Sequence, residues 1–124
     1  KLKETAVSLG IDESFVKREL HAGFSGGEKK ISEVLQMALL SPRYALLDEI
    51  DSGVDVDALK KILAAVERVR TQGTGVLLIT HYPTLLEHLN PDHVIVMAGG
   101  KVVAEGDKTL ASEILQSGFT KYQS

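Results

Sequence analysis

The chain has 124 residues, a formal net charge of −3, 25% charged and 44% apolar residues, and no cysteine. That balance belongs to an ordinary globular domain and excludes a disordered tail, a collagen-like chain, a disulfide scaffold and any thiolate metal or iron–sulfur ligand set. The mild acidity argues against a dedicated nucleic-acid binder, no apolar run approaches the ~20 residues of a membrane-spanning helix, and no basic-then-apolar secretory signal opens the chain.

The first residue is Lys1 and the chain runs straight into helix-like sequence, so it is expected to be a piece of something longer. Residues 2–9 read as a short helix ended by Gly10, and Asp12 opens another short helical stretch through Val16. From Ser25 onward, Ile31, Val34, Leu35, Ala38 and Leu39 follow the spacing of an amphipathic helix, which Ser41-Pro42 stops. Tyr44 to Leu47 is a short apolar run that meets Asp48-Glu49 abruptly, a buried strand with acids at its carboxyl end. Ser52-Gly53 is a turn, and Asp55 or Asp57 could cap a helix whose stripe is Leu59, Ile62, Leu63, Val66 and Val69.

Gln72 to Gly75 closes that helix, and Val76 to Ile79 forms a second apolar strand ending in Thr80-His81. Pro83 suits the first turn of a short helix through Leu89, which Asn90-Pro91 breaks. Val94 to Met97 and Lys101 to Ala104 flank Gly99-Gly100 as a β-hairpin with a two-residue turn. A last helix covers 110–116, with Gly118 as its stop. Strand, helix, strand with unbroken apolar strands predicts an α/β fold with a parallel pair buried on both faces. Two parallel strands plus a hairpin make a thin sheet with exposed edges, which would normally continue in sequence not present here.

Three polar clusters carry candidate chemistry. Ser25-Gly26-Gly27-Glu28 opens the first strong helix. As a capping box it satisfies free backbone donors through Ser25 and Glu28, but each glycine costs a helix about 1 kcal/mol relative to alanine. Two glycines in the first turn suit close approach of an anion, typically phosphate, to bare N–H groups. Asp48-Glu49 is either a pair of exposed acids or a magnesium-and-water site. In the second case Asp48 holds the cation through water and Glu49 orients or deprotonates the attacking water. His81, at the end of the second strand, is either structural or catalytic; His21, His88 and His93 have no such setting, and no histidine spacing resembles a zinc site. Asp51, Ser52 and Asp55 form either a turn with a helix cap or a loop that sets geometry near the magnesium. In open α/β sheets ligands sit beyond the carboxyl ends of the strands, where both acid pair and histidine fall.

With these residues assembled, the chain resembles the carboxyl-terminal half of an ABC-type ATPase domain, a partial P-loop NTPase. Phe24 to Glu28 resembles the signature, Tyr44 to Glu49 the Walker B strand, Ser52-Gly53-Val54-Asp55 the D-loop, and His81 the switch histidine. The resemblance covers the whole chain: residues 1–43 would end the helical subdomain and 44–124 would be the carboxyl-terminal part of the RecA-like core. The forms FSGGEKK, DEIDSGVD and THYPTLLEHLNPDH narrow it to the SufC-type ATPases of iron–sulfur cluster assembly, with Ile31 departing from an expected basic residue. No G-x-x-x-x-G-K-[ST] occurs; the only Gly-Lys, Gly100-Lys101, is followed by Val102.

The resemblance implies a head-to-tail dimer of ATPase domains around ATP and Mg²⁺. Ser25, Gly26, Gly27 and Glu28 would face the γ-phosphate of a nucleotide held by the partner. Asp48 would hold Mg²⁺, Glu49 would act on the attacking water, and His81 would touch the γ-phosphate. Ser52, Gly53 and Asp55 would communicate across the dimer. It further implies a cytoplasmic protein working on a SufB–SufD-like scaffold, without nucleic acid and without insertion into a membrane. Lacking a phosphate loop, the 124 residues alone are expected not to hydrolyse ATP. The alternatives are the ATPase domain of an ABC transporter and a non-catalytic module that kept the fold.

Overall fold

The computed structural model describes residues 1–18 and 26–122. They divide into two compact units, residues 1–80 and 81–124.

In the first unit, α1 (Leu2–Ser8) and α2 (Glu13–Arg18) precede α3 (Gly26–Leu40). Strand β1 (Tyr44–Asp48), helix α4 (Val56–Thr71) and strand β2 (Gly75–Ile79) follow as a β-α-β unit. Helix α4 starts where Asp55 accepts a hydrogen bond from the Ala58 N–H at 2.7 Å, so Asp55 rather than Asp57 is the cap. Asp57 in its first turn and Arg68 and Arg70 in its last turn complement the helix dipole. Gly73, at φ 97°, lets the chain reverse, and Thr74 then donates its hydroxyl to the Pro42 carbonyl at 2.7 Å. That bond, with the Gly75 N–H on the Arg43 carbonyl at 2.9 Å, starts β2 level with β1.

The two strands are parallel, with Tyr44 opposite Gly75 and Asp48 opposite Ile79. The helical stripes converge on one face of the pair. Val34, Leu35 and Ala38 of α3, Ala45 of β1, Ile50, and Ile62, Ala65, Val66 and Val69 of α4 are buried, together with Ala6, Leu9 and Ile11 from the start of the chain. Ile31 is half-buried in α3.

One expectation is corrected here. The strands form a parallel pair, but it is buried on one face only. Ala45, Leu47, Val76 and Leu78 turn towards cover, whereas Tyr44, Leu46, Leu77 and Ile79 stand exposed. The side-chain period of two puts these sets on opposite faces, and within this unit helices lie over only one of them.

In the second unit, α5 (Leu85–His88) begins two residues later than Pro83 suggests. Pro83 and Thr84 instead form a turn of i+3 bonds, with the Leu85, Leu86 and Glu87 N–H groups on the Tyr82, Pro83 and Thr84 carbonyls. Strands β3 (Val94–Ala98) and β4 (Lys101–Gly106) pair as an antiparallel hairpin. Its Gly99-Gly100 turn has both φ values positive, 54° and 74°, which is what a two-residue type I′ turn needs. A register shift between Val96 and Met97 bulges the ladder. Helix α6 (Lys108–Ser117) is capped by Asp107 and ends at Gly118, φ 67°. Val94, Val96, Ala111 and Ile114 make the core of this unit, with Leu86, Ala104, Leu110, Phe119 and Tyr122 packed against it.

Candidate functional site

Strand β1 carries Asp48 to its carboxyl end, where the side chain is exposed. The next residue, Glu49, turns the chain out of the sheet with its backbone in the left-handed region, φ 49°. Few non-glycine residues adopt it, and an L side chain there costs about 1–2 kcal/mol. Two bonds hold it. The Glu49 N–H donates to the Ile79 carbonyl at the end of β2, 2.9 Å away. The Glu49 carbonyl accepts from Lys30 Nζ of α3 at 2.8 Å. The same ammonium donates to the Ser52 carbonyl, and the Ser52 N–H returns to the Glu49 carbonyl at 3.2 Å. The loop 49–52 is therefore folded around one cation.

The same loop holds Asp51 and touches Thr80. Thr80, just past β2, donates its hydroxyl to Asp51 Oδ2 at 2.7 Å. Asp51 Oδ1 is buried with no hydrogen-bond partner, which among the described residues it shares only with Arg68 Nε. A buried carboxylate oxygen without a donor forfeits the hydration it would have in water.

The first turn of α3 faces this loop. A Cβ placed on Gly27 would lie 3.9 Å from Val54 Cγ1 and 4.0 Å from the Gly53 carbonyl oxygen, which is ordinary contact distance. A Cβ on Gly26 would meet nothing within 4 Å, and neither glycine has a positive φ. Nothing in the described chain itself requires glycine at either position.

The structure thus brings together Gly26, Gly27, Asp48, Glu49, Ser52 and Gly53 in the first unit, with Glu28 in the first turn of α3. Asp55 is engaged as the cap of α4. Ser25 and Phe24, and with them the capping-box reading, lie outside the described residues, as does His21. His81 opens the second unit and is exposed, as are His88 and His93; His93 Nε2 lies 2.8 Å from Glu105 Oε1. Sequence reading gave Lys30 no role. Its position on the turn that follows Gly26-Gly27 was legible, but the two carbonyls it meets are 19 and 22 residues away in the chain.

Among the described residues, no three His, Asp or Glu side chains are grouped so as to hold a metal ion. Magnesium does not require such a cage, because it keeps several waters and takes one or two carboxylates plus phosphate oxygens. Asp48 offers one exposed carboxylate at the end of β1, with Glu49 next to it.

No family model matches the chain. The chain is 47% identical over 119 residues to a probable ABC transporter ATP-binding protein of Streptococcus pyogenes serotype M3, covering 96% of this chain and 46% of that protein. It is 48% identical over 111 residues to a probable ATP-dependent transporter of Cyanidium caldarium, covering 90% and 44%. It is 44% identical over 119 residues to vegetative protein 296 of Bacillus subtilis, covering 96% and 46%. Among solved structures, the ADP conformation of an ATP-binding cassette of an ABC transporter superposes with a TM-score of 0.71 at 24% identity, over 94% of this chain and 45% of that one. The ATP-binding subunit of another ABC transporter superposes with a TM-score of 0.62 at 26% identity, over 94% and 54%. The chain spans about half the length of the curated relatives it matches, and it has the α/β fold of part of an ATP-binding cassette.

Proposed function

We propose that this chain supplies the signature, Walker B, D-loop and switch-histidine part of an ABC-type ATPase, residues 1–43 closing the helical subdomain and 44–124 belonging to the catalytic core. The observation that carries this reading is Glu49. Its backbone is held in a costly left-handed conformation at the carboxyl end of a parallel strand, tied by its N–H to β2 and by its carbonyl to Lys30. Strain retained beside paired acids in a sheet-end crevice points to function rather than to folding.

In this reading Asp48 would hold magnesium through water, and the cation would neutralise phosphate charge. Glu49, its backbone fixed from two sides, orients the attacking water and accepts its proton. Gly26 and Gly27, with no steric need of their own to be glycine, leave the first turn of α3 open for close approach of a γ-phosphate presented by a second ATPase domain, alongside Ser25 and Glu28. Ser52, Gly53 and Asp55 lie on the loop that would face that second domain, and His81 contacts the γ-phosphate. The phosphate-cradling loop is contributed by sequence other than these 124 residues, so they bind and hydrolyse no ATP alone.

The finer reading is a SufC-type ATPase working on a SufB–SufD-like scaffold in the cytoplasm. The motifs FSGGEKK and DEIDSGVD support it, and the absence of cysteine fits a motor that does not ligate the cluster. The second reading is the ATPase of an ABC transporter, favoured by the description of the Streptococcus pyogenes relative. Affinity capture separates them: a soluble scaffold pair supports the first reading, and membrane-spanning subunits support the second.

The test of the site is a chimera in which the 124 residues replace the matched segment of the Streptococcus pyogenes relative. The folded chimera is expected to hydrolyse ATP, and Glu49→Gln to slow it by about 10²–10⁴-fold, the range for losing a general base. A folded chimera whose turnover is unaffected by Glu49→Gln, or an isolated chain that hydrolyses ATP, overturns the proposal.

A further inference from the structure

The proposed reading leaves Asp51 without a task. It is half-buried, and its Oδ2 accepts the Thr80 hydroxyl at 2.7 Å. That is the length of a charge-assisted bond, about twice as strong as one between neutral groups. Its other oxygen, Oδ1, is buried without a donor. An acceptor left unmade in the interior costs stability, whereas replacing both partners of a bond by apolar groups is nearly neutral. Folding by itself therefore gains little from a carboxylate at this position.

What the bond does gain is a connection between two particular places. Asp51 lies in the loop 49–52, which leaves the sheet at the left-handed Glu49. Thr80 follows β2 and directly precedes His81. The two strands stay in register up to Asp48 opposite Ile79, and the Glu49 N–H then reaches the Ile79 carbonyl at 2.9 Å. The Asp51–Thr80 bond continues that join past the end of the ladder, through side chains 29 residues apart. Lys30 ties the same loop to α3, and Asp51 ties it to the end of β2.

The geometry points to Asp51 as a positioning residue: through Thr80 it holds the loop that bears Glu49 against the end of β2, and fixes the point from which the chain leaves for His81. The carboxylate serves as an acceptor oxygen, not as a base or a metal ligand. The inference rests on the reading of Glu49 and His81 as residues of an ABC-type ATPase, and it names what sets the first of them in place. A group displaced by about 1 Å can lose 10²-fold in rate, so the bond matters to turnover more than to folding.

The experiment places Thr80→Val, Thr80→Ser, Asp51→Asn and the double variant Asp51→Leu with Thr80→Val in the chimera described above and in the isolated chain. In the chimera, Thr80→Val should lower kcat by about 10–100-fold while the KM for ATP moves by less than about threefold. Thr80→Ser, which keeps the hydroxyl, and Asp51→Asn, which keeps the acceptor oxygen, should each restore most of kcat. The double variant should be no slower than Thr80→Val, because both changes break one bond, and it should melt no lower than the unaltered chain. A loss of kcat in Asp51→Asn with none in Thr80→Val overturns the inference, because Asp51 then acts by its charge. So does a kcat that falls only in step with the melting temperature.

The isolated chain supplies a readout that needs no turnover. Thr80→Val should speed amide exchange at Glu49 and Ser52, across the contact, by about tenfold, and Thr80→Ser should reverse it. Exchange at those two residues that ignores Thr80→Val overturns the inference. A chimera without Glu49-dependent turnover refutes the proposed function instead, and the exchange rates still decide whether Asp51 ties the loop to β2.

Discussion

Glu49 shows how one backbone angle can be read as chemistry. At φ 49° it occupies a region where glycine sits freely and other residues are strained. The comparison of Glu49→Gly with Glu49→Ala isolates the backbone, because both remove the carboxylate. We expect the glycine variant to be the more stable of the two by about 1 kcal/mol in urea unfolding. Equal stability would mean that the left-handed conformation does not persist in solution. Asp51 makes the complementary point. One of its oxygens is fixed by Thr80 and the other is buried without a donor, so the loop keeps a carboxylate where packing alone favours an apolar group. Neither feature was legible in the sequence. A dihedral angle and an orphaned oxygen are consequences of where the chain is led by its tertiary contacts.

At the scale of elements, α3 has two tasks. Its apolar stripe, Val34, Leu35 and Ala38, buries against the rest of the first unit. Its first turns carry Gly26, Gly27 and Lys30 to the loop after β1. Lys30→Met keeps the aliphatic stem but removes two charge-assisted bonds to carbonyls, each worth about 1.5–3 kcal/mol when well shielded. Lys30 is only half-buried, so the expected loss of stability is smaller, about 1–2 kcal/mol. Amide exchange at Ser52, whose N–H is bonded to the Glu49 carbonyl, should accelerate at the same time. Unchanged exchange at Ser52 would show that the ammonium does not organise the loop.

Helix α6 offers a pH-dependent check on capping. The Thr109 N–H donates to Asp107 and, as the largest cause, holds the Asp107 carboxyl below its ordinary value. The folded state thus binds that proton less readily than the unfolded state. The cap's contribution is complete above the usual aspartate range, near pH 4, and is lost as pH falls through the lowered folded value. Asp107→Asn keeps a capping oxygen but cannot titrate, so the acid-side slope of stability against pH should flatten in the variant.

At the scale of the whole molecule, two units with separate apolar cores share one chain. No helix among the described residues is long and apolar enough to cross a membrane. The sheet of the first unit is covered on one face by its own helices and bare on the other, and the related proteins are about twice as long.

By itself, the sequence determined what depends on local spacing. The i, i+3, i+4 stripes of α3 and α4, the apolar runs of β1 and β2, the Gly99-Gly100 hairpin and the stop at Gly118 were all visible as patterns. So was the order of the polar clusters, because strand ends can be counted along the chain. Long-range packing decided the rest. Lys30 found the Glu49 and Ser52 carbonyls, Asp55 rather than Asp57 took the helix cap, and Pro83 entered a turn instead of a helix. Only one face of the parallel pair received cover. Burial of a strand depends on what lies above and below it, and an apolar run of four residues reads the same whether one face is covered or both.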